Sequence, residues 1–190
     1  SSADSFPIDS YLDMIELSSN NLKSISRVMF KNFSNLNQIL LDSNQINFIE
    51  DYSFGDCIRL KNLDLDKNQL KNITSNYFKG LNELRWLYLN KNQIEYIDSD
   101  ALGFMSRLIS LGLSQNRIRS IAGSILELFN YNLINFFADN NPIEKFYLTQ
   151  FTNSNAKLIN EKKLIINTIQ VVNGDLESVN FCFLNQNRWL

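Results

Sequence analysis

The sequence contains no histidine, and this absence excludes several kinds of site. Metal sites built on imidazole, Ser-His-Asp triads and Cys-His pairs all need at least one histidine. A glycine-rich phosphate loop is also missing, and the carboxylates are scattered. Asp64 and Asp66 share a strand face, but we expect both to lie on an open sheet where nothing raises a carboxyl pKa. We therefore predict a protein that is not an enzyme and that uses no cofactor and no metal.

A large excess of charge of either sign is missing as well. The 18 lysines and arginines nearly balance the 20 aspartates and glutamates, which gives a net charge of −2. This balance gives no reason to expect nucleic acid or an anionic membrane as a partner, so we predict no nucleic-acid binding. No apolar run approaches the length of a membrane span, and no charged-then-apolar leader opens the chain. We predict no membrane insertion in this segment.

Cysteine is scarce, with only Cys57 and Cys182 in the chain. Cys57 takes a position that larger apolar residues take in the other copies of the repeat described below, which predicts a small buried hydrophobic residue. About six repeats of stacked strands separate the two sulfurs by roughly 30 Å, beyond disulfide reach. Cys182 is then either free or bonded to another chain, which would give a homo- or hetero-oligomer through the C-terminal end.

What the sequence has in abundance is a repeat. Five asparagines follow one another at intervals of 24 residues, each in the frame LxxLxLxxNxLxxL with a bulky apolar residue further on. In the fourth copy the frame is Leu84, Leu87, Leu89, Asn92, Ile94, Ile97 and Leu102. A sixth copy is shifted by one residue. The asparagine positions of the six copies are Asn20, Asn44, Asn68, Asn92, Asn116 and Asn141.

The frame predicts a structural role for each position. The LxL segment predicts a short strand whose leucines point inward, paired in parallel with the strands of neighbouring copies. The asparagine ends the strand, where its amide can donate to and accept from backbone groups of adjacent coils. No repeat can bury its own apolar face, so stability comes from neighbour contacts. The expected strand centres are Ile15, Ile39, Leu63, Leu87, Leu111 and Phe136, with little regular helix.

This frame resembles that of the leucine-rich repeat family, and the match is close from Leu12 to Phe151. A 24-residue period with Phe or Leu late in the repeat is similar to the extracellular class of animal repeats. The resemblance implies an α/β-type solenoid, a horseshoe with a parallel β-sheet on its concave face. The cysteine-rich caps of many secreted members are absent, so apolar side chains such as Phe6, Ile8 and Tyr11 must close the end.

These observations divide the chain into three parts. We predict an N-terminal cap over residues 1–11, six repeats over residues 12–151, and degenerate repeats or a C-terminal cap over residues 152–190. A seventh copy can be drawn through Ile159, Lys162, Leu164 and Asn167, with the lysine in an apolar slot. The segment QVVNGDLESV instead carries the Asn-Gly signal of a tight β-hairpin. Both interpretations of the tail stay open.

Residues between the inward-facing leucines of a strand must point out onto the concave face. In the segment LRWLYLNKNQIEYI this exposes Trp86 and Tyr88, and the small Ser110 and Gly112 would form a notch beside them that Phe137 closes. Exposed aromatic area is typical of binding hot spots, although aromatic residues also suit strands by shape alone. The predicted partner-binding residues are Leu40, Asp64, Arg85, Trp86, Tyr88, Gly112 and Phe137.

Two functions fit these observations. The first is a recognition module that binds another protein on the concave face. For it, the resemblance implies a secreted or receptor-ectodomain protein in innate immunity, signalling or adhesion. The second is a structural or scaffold protein that acts through its ends or its convex face. The sequons Asn32-Phe33-Ser34 and Asn72-Ile73-Thr74 predict glycosylation at Asn32 and Asn72 and favour an extracellular location.

Overall fold

The computed structural model describes residues 12–121, 125, 128, 132–143, 145–146 and 163–165. Within these residues the chain winds as a β-solenoid with almost no helix, and each coil contributes one strand to a long sheet. In chain order the strands are β1 (Met14–Glu16), β2 (Ser24–Ile25), β3 (Gln38–Leu40), β4 (Phe48–Ile49), β5 (Asn62–Asp64), β6 (Asn72–Ile73), β7 (Trp86–Tyr88), β8 (Tyr96–Ile97), β9 (Ser110–Gly112), β10 (Ser120–Ile121), β11 (Asn135–Phe137), β12 (Lys145–Phe146) and β13 (Lys163–Ile165).

The odd-numbered strands form one parallel sheet in the order β1-β3-β5-β7-β9-β11-β13. Its register follows the repeat, so that Leu63 lies opposite Ile39 on one side and Leu87 on the other. The even-numbered strands pair two by two on the returning side of the coils. All six predicted strand centres are confirmed, and so is the parallel horseshoe fold. We call the outward face of the seven-stranded sheet the concave face.

The sheet continues beyond the sixth repeat, but the drawn seventh copy is wrong in register. β13 pairs with β11 so that Leu164, and not Lys162, lies opposite Phe136. The drawn frame is therefore two residues out of register. An apolar residue is favoured opposite Phe136, because an unpaired charge at an inward position would be costly to bury. The cap over residues 1–11, the Asn-Gly segment and Cys182 lie outside the described residues.

The core fills the space between the sheet and the returning side of each coil. The frame leucines and isoleucines from the second repeat onward are buried there, and each contributes about 1.5–3 kcal/mol by leaving water. On the returning side, Phe30, Phe54 and Phe78 form a stacked column with ring centroids 5.4 and 6.3 Å apart. Cys57 is buried in this core, as predicted.

The residue just before each asparagine of the frame adopts a left-handed backbone. The six residues have φ between 53° and 57°, and they are Ser19, Ser43, Lys67, Lys91, Gln115 and Asn140. This conformation costs about 1–2 kcal/mol for a residue other than glycine. A hydrogen bond to the next coil holds it, for example from the Lys67 N–H to the Asn90 carbonyl at 2.8 Å. The turn carries the following asparagine over the core.

Asn68 shows what that asparagine does. Its Nδ2 donates to the Leu41 carbonyl of the preceding coil at 3.0 Å and to the Leu65 carbonyl of its own coil at 3.1 Å. Its Oδ1 accepts the Ile46 N–H of the preceding coil at 2.9 Å. A single amide thus satisfies backbone groups on two coils at the point where the strand ends.

The same set of bonds recurs along the solenoid. Each member donates to two strand-end carbonyls and accepts an N–H from the preceding coil, and the members are Asn44, Asn92, Asn116 and Asn141. Asn20 lies in the first described coil and is exposed. Within the described residues, its amide donates to the Leu17 and Ser18 carbonyls of its own coil.

Replacing Asn68 by alanine should destabilise the protein strongly, because the Ile46 N–H and two carbonyls lose their partner. Each buried group left unpaired costs about 1–3 kcal/mol. The matched control is Asn62→Ala on the concave face, where the amide Oδ1 has no hydrogen bond to lose. Denaturant unfolding should give a loss of at least about 2 kcal/mol for Asn68→Ala and a change within about 0.5 kcal/mol for Asn62→Ala. Equal losses would contradict the role given to the ladder.

Cys57 should be inert in the native protein. Burial, and secondarily the nearby Asp56 charge, raises the pKa of its thiol to about 12, so almost no thiolate forms at neutral pH. A thiol reagent followed by peptide mass spectrometry should find Cys57 unmodified in buffer and fully modified in denaturant. We expect Cys182 to react already in buffer. Rapid native labelling of Cys57 would show that the second and third coils separate easily.

Candidate functional site

An open groove of ≈ 580 Å³ crosses the concave face. Four successive coils contribute to it, because residues 24 positions apart lie side by side in the sheet. Gln38, Asn62 and Trp86 form one such row. The groove is lined by Asp13, Asn37, Gln38, Lys61, Asn62, Trp86 and Tyr88.

Trp86 and Tyr88 point to the concave face, opposite the fully buried Leu87. Both rings are partly buried, whereas the sequence predicted that both are exposed. Neighbouring strands lie about 4.8 Å apart, and their in-register side chains crowd a large ring on both sides. Tyr88 also hydrogen-bonds the side chain of Ser110, and burial raises the pKa of its hydroxyl.

Asn62 places an unused acceptor beside these rings. Its Oδ1 is buried and has no hydrogen-bond partner among the described residues. Buried polar atoms without a partner are uncommon, and because this oxygen is shielded from solvent it is a cost of the fold and not a contact point for a ligand. Strand alternation places Gln38 and Asn62 on this face as well, but the predicted partner-binding residues do not include them. The signal was available, since both lie at multiples of 24 residues before Trp86.

Gly112 is not the floor of a notch. It is buried, and a Cβ built on it would lie 2.5 Å from Nδ2 of Asn90. The Asn90 amide therefore occupies the space expected to be open, and glycine is needed there because any side chain would displace that amide. The expected notch between Tyr88 and Phe137 is filled, and Gly112 is not available to a partner.

Asn90 belongs to a chain of polar contacts along the ends of the strands. The Asn90 N–H and Nδ2 donate to Asp66 Oδ1 at 2.6 and 3.0 Å. Asn90 Oδ1 accepts the Ser114 N–H at 2.9 Å, and the Ser114 hydroxyl donates to Asp139. Ser18 donates to Asp42 in the same way at the other end. This edge of the face is ordered by its own hydrogen bonds.

The expectation that Asp64 and Asp66 titrate normally is wrong. Burial, followed by the like charges of Asp66 and Asp42, raises the pKa of Asp64 to about 6 even though the Asp66 N–H and the Lys67 charge oppose the shift. Burial also raises the pKa of Asp66, against its hydrogen bonds from Asn90. The sheet is less open than the sequence suggested, because Asp64 lies between Leu40 and Tyr88 on the neighbouring strands.

The remaining predicted residues lie around the groove and do not line it. Leu40 and Asp64 share a row with Tyr88. Phe137 is exposed, two strands beyond Tyr88. Arg85 lines a separate cleft of ≈ 350 Å³ with Arg107, Ile109, Asn132 and Ile134. The sequon residues Asn32 and Asn72 are both exposed.

The described residues contain no group of three or more acidic, cysteine or histidine side chains able to hold a metal ion. Nor does that part of the chain include a helix with the length and apolarity needed to cross a bilayer. The concave face offers aromatic contact, hydrogen bonding and charge.

A family model for the leucine rich repeat matches residues 10–70 and again residues 58–118. The two matches together span residues 10–118, which are 109 of the 190 residues. The chain belongs to the leucine-rich repeat family. A search of curated proteins found no match.

Solved structures with a similar fold include two receptors of the Toll type. A chain of the crystal structure of the TLR13-ssRNA13 complex has a TM-score of 0.62 and 30% identity, with 68% of this chain and 18% of that chain covered. A chain of the Toll-Spatzle complex of Drosophila has a TM-score of 0.58 and 26% identity, with 64% and 18% covered. This chain therefore spans under a fifth of the length of either.

The raised pKa of Asp64 predicts a pH-dependent stability. An ordinary aspartate titrates near pH 3.9 when unfolded, so between about pH 4 and pH 6 the folded state holds more protons than the unfolded state. Stability contributed by this group therefore falls as pH rises through that window. Asp64→Asn should melt higher than the native chain at pH 7.5, and the difference should vanish near pH 4. Asp100→Asn, at an exposed position, is the control. A difference that does not change with pH would contradict the assignment.

Proposed function

We propose that this chain is the recognition part of an extracellular protein, secreted or a receptor ectodomain, and that a protein partner binds in the groove beside Trp86 and Tyr88. One observation carries the proposal. Trp86 and Tyr88 meet the polar side chains of Gln38 and Asn62 in an open groove on the face that the fold leaves uncovered. Partly buried aromatic side chains are typical anchors of binding hot spots.

The shape of the groove favours a macromolecule over a small ligand. Small-molecule sites bury most of their ligand in an enclosed, largely apolar cavity. Here the lining comes from four coils, and it includes the polar or charged residues Asp13, Asn37, Gln38, Lys61 and Asn62. A loop or strand edge of a partner protein can lie across such a surface, place an apolar residue on Trp86 and hydrogen-bond the polar side chains of the lining.

Charge favours protein over nucleic acid. One of the two similar structures is a complex with single-stranded RNA and the other is a complex with Spatzle, so the fold is compatible with either class of ligand. In this chain, Asp13 and Lys61 line the groove, and Asp42 of one coil lies near Asp64 and Asp66 of the next. This excess of carboxylates disfavours phosphates, whereas nucleic-acid binding depends on neutralising them.

The wider role is part of the same proposal. The Toll-Spatzle complex is a molecular hub in Drosophila development and innate immunity, and this chain shares the fold at 26% identity. We infer a function in innate immunity or in receptor signalling, with the concave face as the surface that meets the ligand.

The proposal is tested with two neighbouring variants, Trp86→Ala and Leu87→Ala. Trp86 is half-buried and faces the groove, whereas Leu87 is wholly in the core. A panel of secreted proteins and single-stranded RNA oligonucleotides would be screened for binding to the native chain. For a true partner, Trp86→Ala should weaken binding by more than tenfold, since a hot-spot aromatic contributes about 2–4 kcal/mol. Leu87→Ala should instead cost about 2–5 kcal/mol of stability.

Tyr96→Ala, on the returning side of the coils, is the matched surface control and should bind normally. If Trp86→Ala binds every hit as well as the native chain does, the binding surface lies elsewhere. If only RNA binds the chain, the proposal that the partner is a protein is wrong.

A further inference from the structure

A second patch of exposed aromatic area lies away from the concave face, on the short strands of the returning side. One position there recurs every 24 residues, just before a buried isoleucine in each coil. Its five occupants are Ser24, Phe48, Asn72, Tyr96 and Ser120, and all are exposed. We call this row the lateral column. Phe48 and Tyr96 are large rings with 52% and 58% of their surface open to solvent.

The fold does not need aromatic residues at this position. The first and fifth coils have serine there and form the same two-residue strands. Aromatic rings left this open to water are typical of surfaces that something else covers. The rings flank one residue, Asn72, on the coil between them.

Asn72 lies directly beside one of these rings. It pairs in register with Tyr96 in the parallel β6–β8 ladder, where neighbouring strands lie about 4.8 Å apart. Phe48 takes the same position in the preceding coil. The adjacent Ile49, Ile73 and Ile97 are all buried, so the side chains of Phe48, Asn72 and Tyr96 point outward together.

A second observation concerns Thr74, the third residue of the Asn72-Ile73-Thr74 sequon. Its Oγ1 is buried and has no hydrogen-bond partner among the described residues. A buried hydroxyl without a partner lowers the stability of the folded protein, and a valine of the same shape would avoid this loss. A role in the sequon would account for this hydroxyl, because glycosylation uses it before the chain folds around it.

We propose that Asn72 carries an N-linked glycan whose first N-acetylglucosamine packs its apolar face against Tyr96. The Asn72 amide nitrogen forms a bond to C1 of the sugar and loses one proton. The bond from C1 to the phosphate oxygen of a lipid-linked oligosaccharide donor breaks, and the lipid pyrophosphate leaves. The stacked sugar covers the exposed Tyr96 ring. This inference rests on the extracellular location in the proposed function.

The other sequon provides an internal control. Asn32 is exposed in a turn with φ of 67°, and its N–H donates to Asp56 Oδ2 at 2.8 Å. The equivalent position in the next coil is Asp56 itself, a charged residue in place of a ring. A glycan on Asn32 should therefore extend into water, and Ser34→Ala removes that sequon without changing the strained Asn32 backbone.

The test uses the chain secreted from animal cells, with a known glycoprotein expressed beside it. Peptide mass spectrometry reads the occupancy of each sequon. NMR of protein grown with labelled glucosamine then reads the acetamido methyl protons. The Asn72 sugar should show an upfield ring-current shift that Tyr96→Ala removes, whereas the Asn32 sugar should not.

Melting temperatures complete the experiment. Tyr96→Ala should lower Tm by about 2 °C more in the glycosylated chain than in the Asn72→Gln background, where no sugar is present. Thr74→Val provides a second sugar-free background if Asn72→Gln folds poorly.

Each outcome supports or overturns the proposed glycan at Asn72. Occupied Asn72 with the upfield shift and the extra melting loss supports the proposal. Occupied Asn72 with neither effect overturns the stacking. Occupied Asn32 with empty Asn72 overturns the proposal but leaves the extracellular function standing. If both sequons are empty while the companion glycoprotein is modified, the proposal and the extracellular location fail together.

Discussion

The amide of one asparagine per coil is the interaction on which this structure depends. Where each strand ends, the backbone turns away from its neighbours and leaves carbonyls and N–H groups inside the molecule. Asn68 and its equivalents satisfy these groups on two coils at once. Aspartate could not donate there and leucine could do neither, so the amide has no substitute among side chains of that size. The left-handed residue before each asparagine costs free energy, and the bonds that it allows offset that cost.

The ladder also controls where function can lie. Because it locks successive coils in register, every residue has neighbours 24 positions before and after it. Outward positions on the strands therefore form rows across several coils. Gln38, Asn62 and Trp86 make one row of the groove, while Asn72 and Tyr96 are neighbours in the lateral column. The frame does not fix the residue type at these positions, so they can change without loss of the fold.

Contacts between side chains on neighbouring coils decide which residues of the concave face are accessible. The Asn90 amide lies over Gly112 and ties Asp66 to Ser114, so one coil decides what is accessible on the next. Asp42, Asp64 and Asp66 approach one another across coils, and their mutual burial raises the pKa of Asp64 and of Asp66. Neighbouring coils half-bury Trp86 and Tyr88 and restrict their side chains. This restriction reduces the conformational entropy that is lost when a partner binds.

The fold was predictable from the repeat alone, because a 24-residue period with inward leucines and one asparagine allows a single way of burying the apolar face. The strand centres, the parallel register and the burial of Leu87 and Cys57 all follow from it. The seventh strand was misplaced because the repeat fades there, and only the pairing of Leu164 with Phe136 shows the true register. The face of Trp86 was predictable from strand alternation, but the groove around it was not. Periodicity says which way a side chain points, whereas the contacts between coils decide how deeply it is buried, what covers Gly112 and which carboxylates raise one another's pKa. Those contacts depend on distances of a few ångströms between residues far apart in the chain, and they exist only once the coils have stacked.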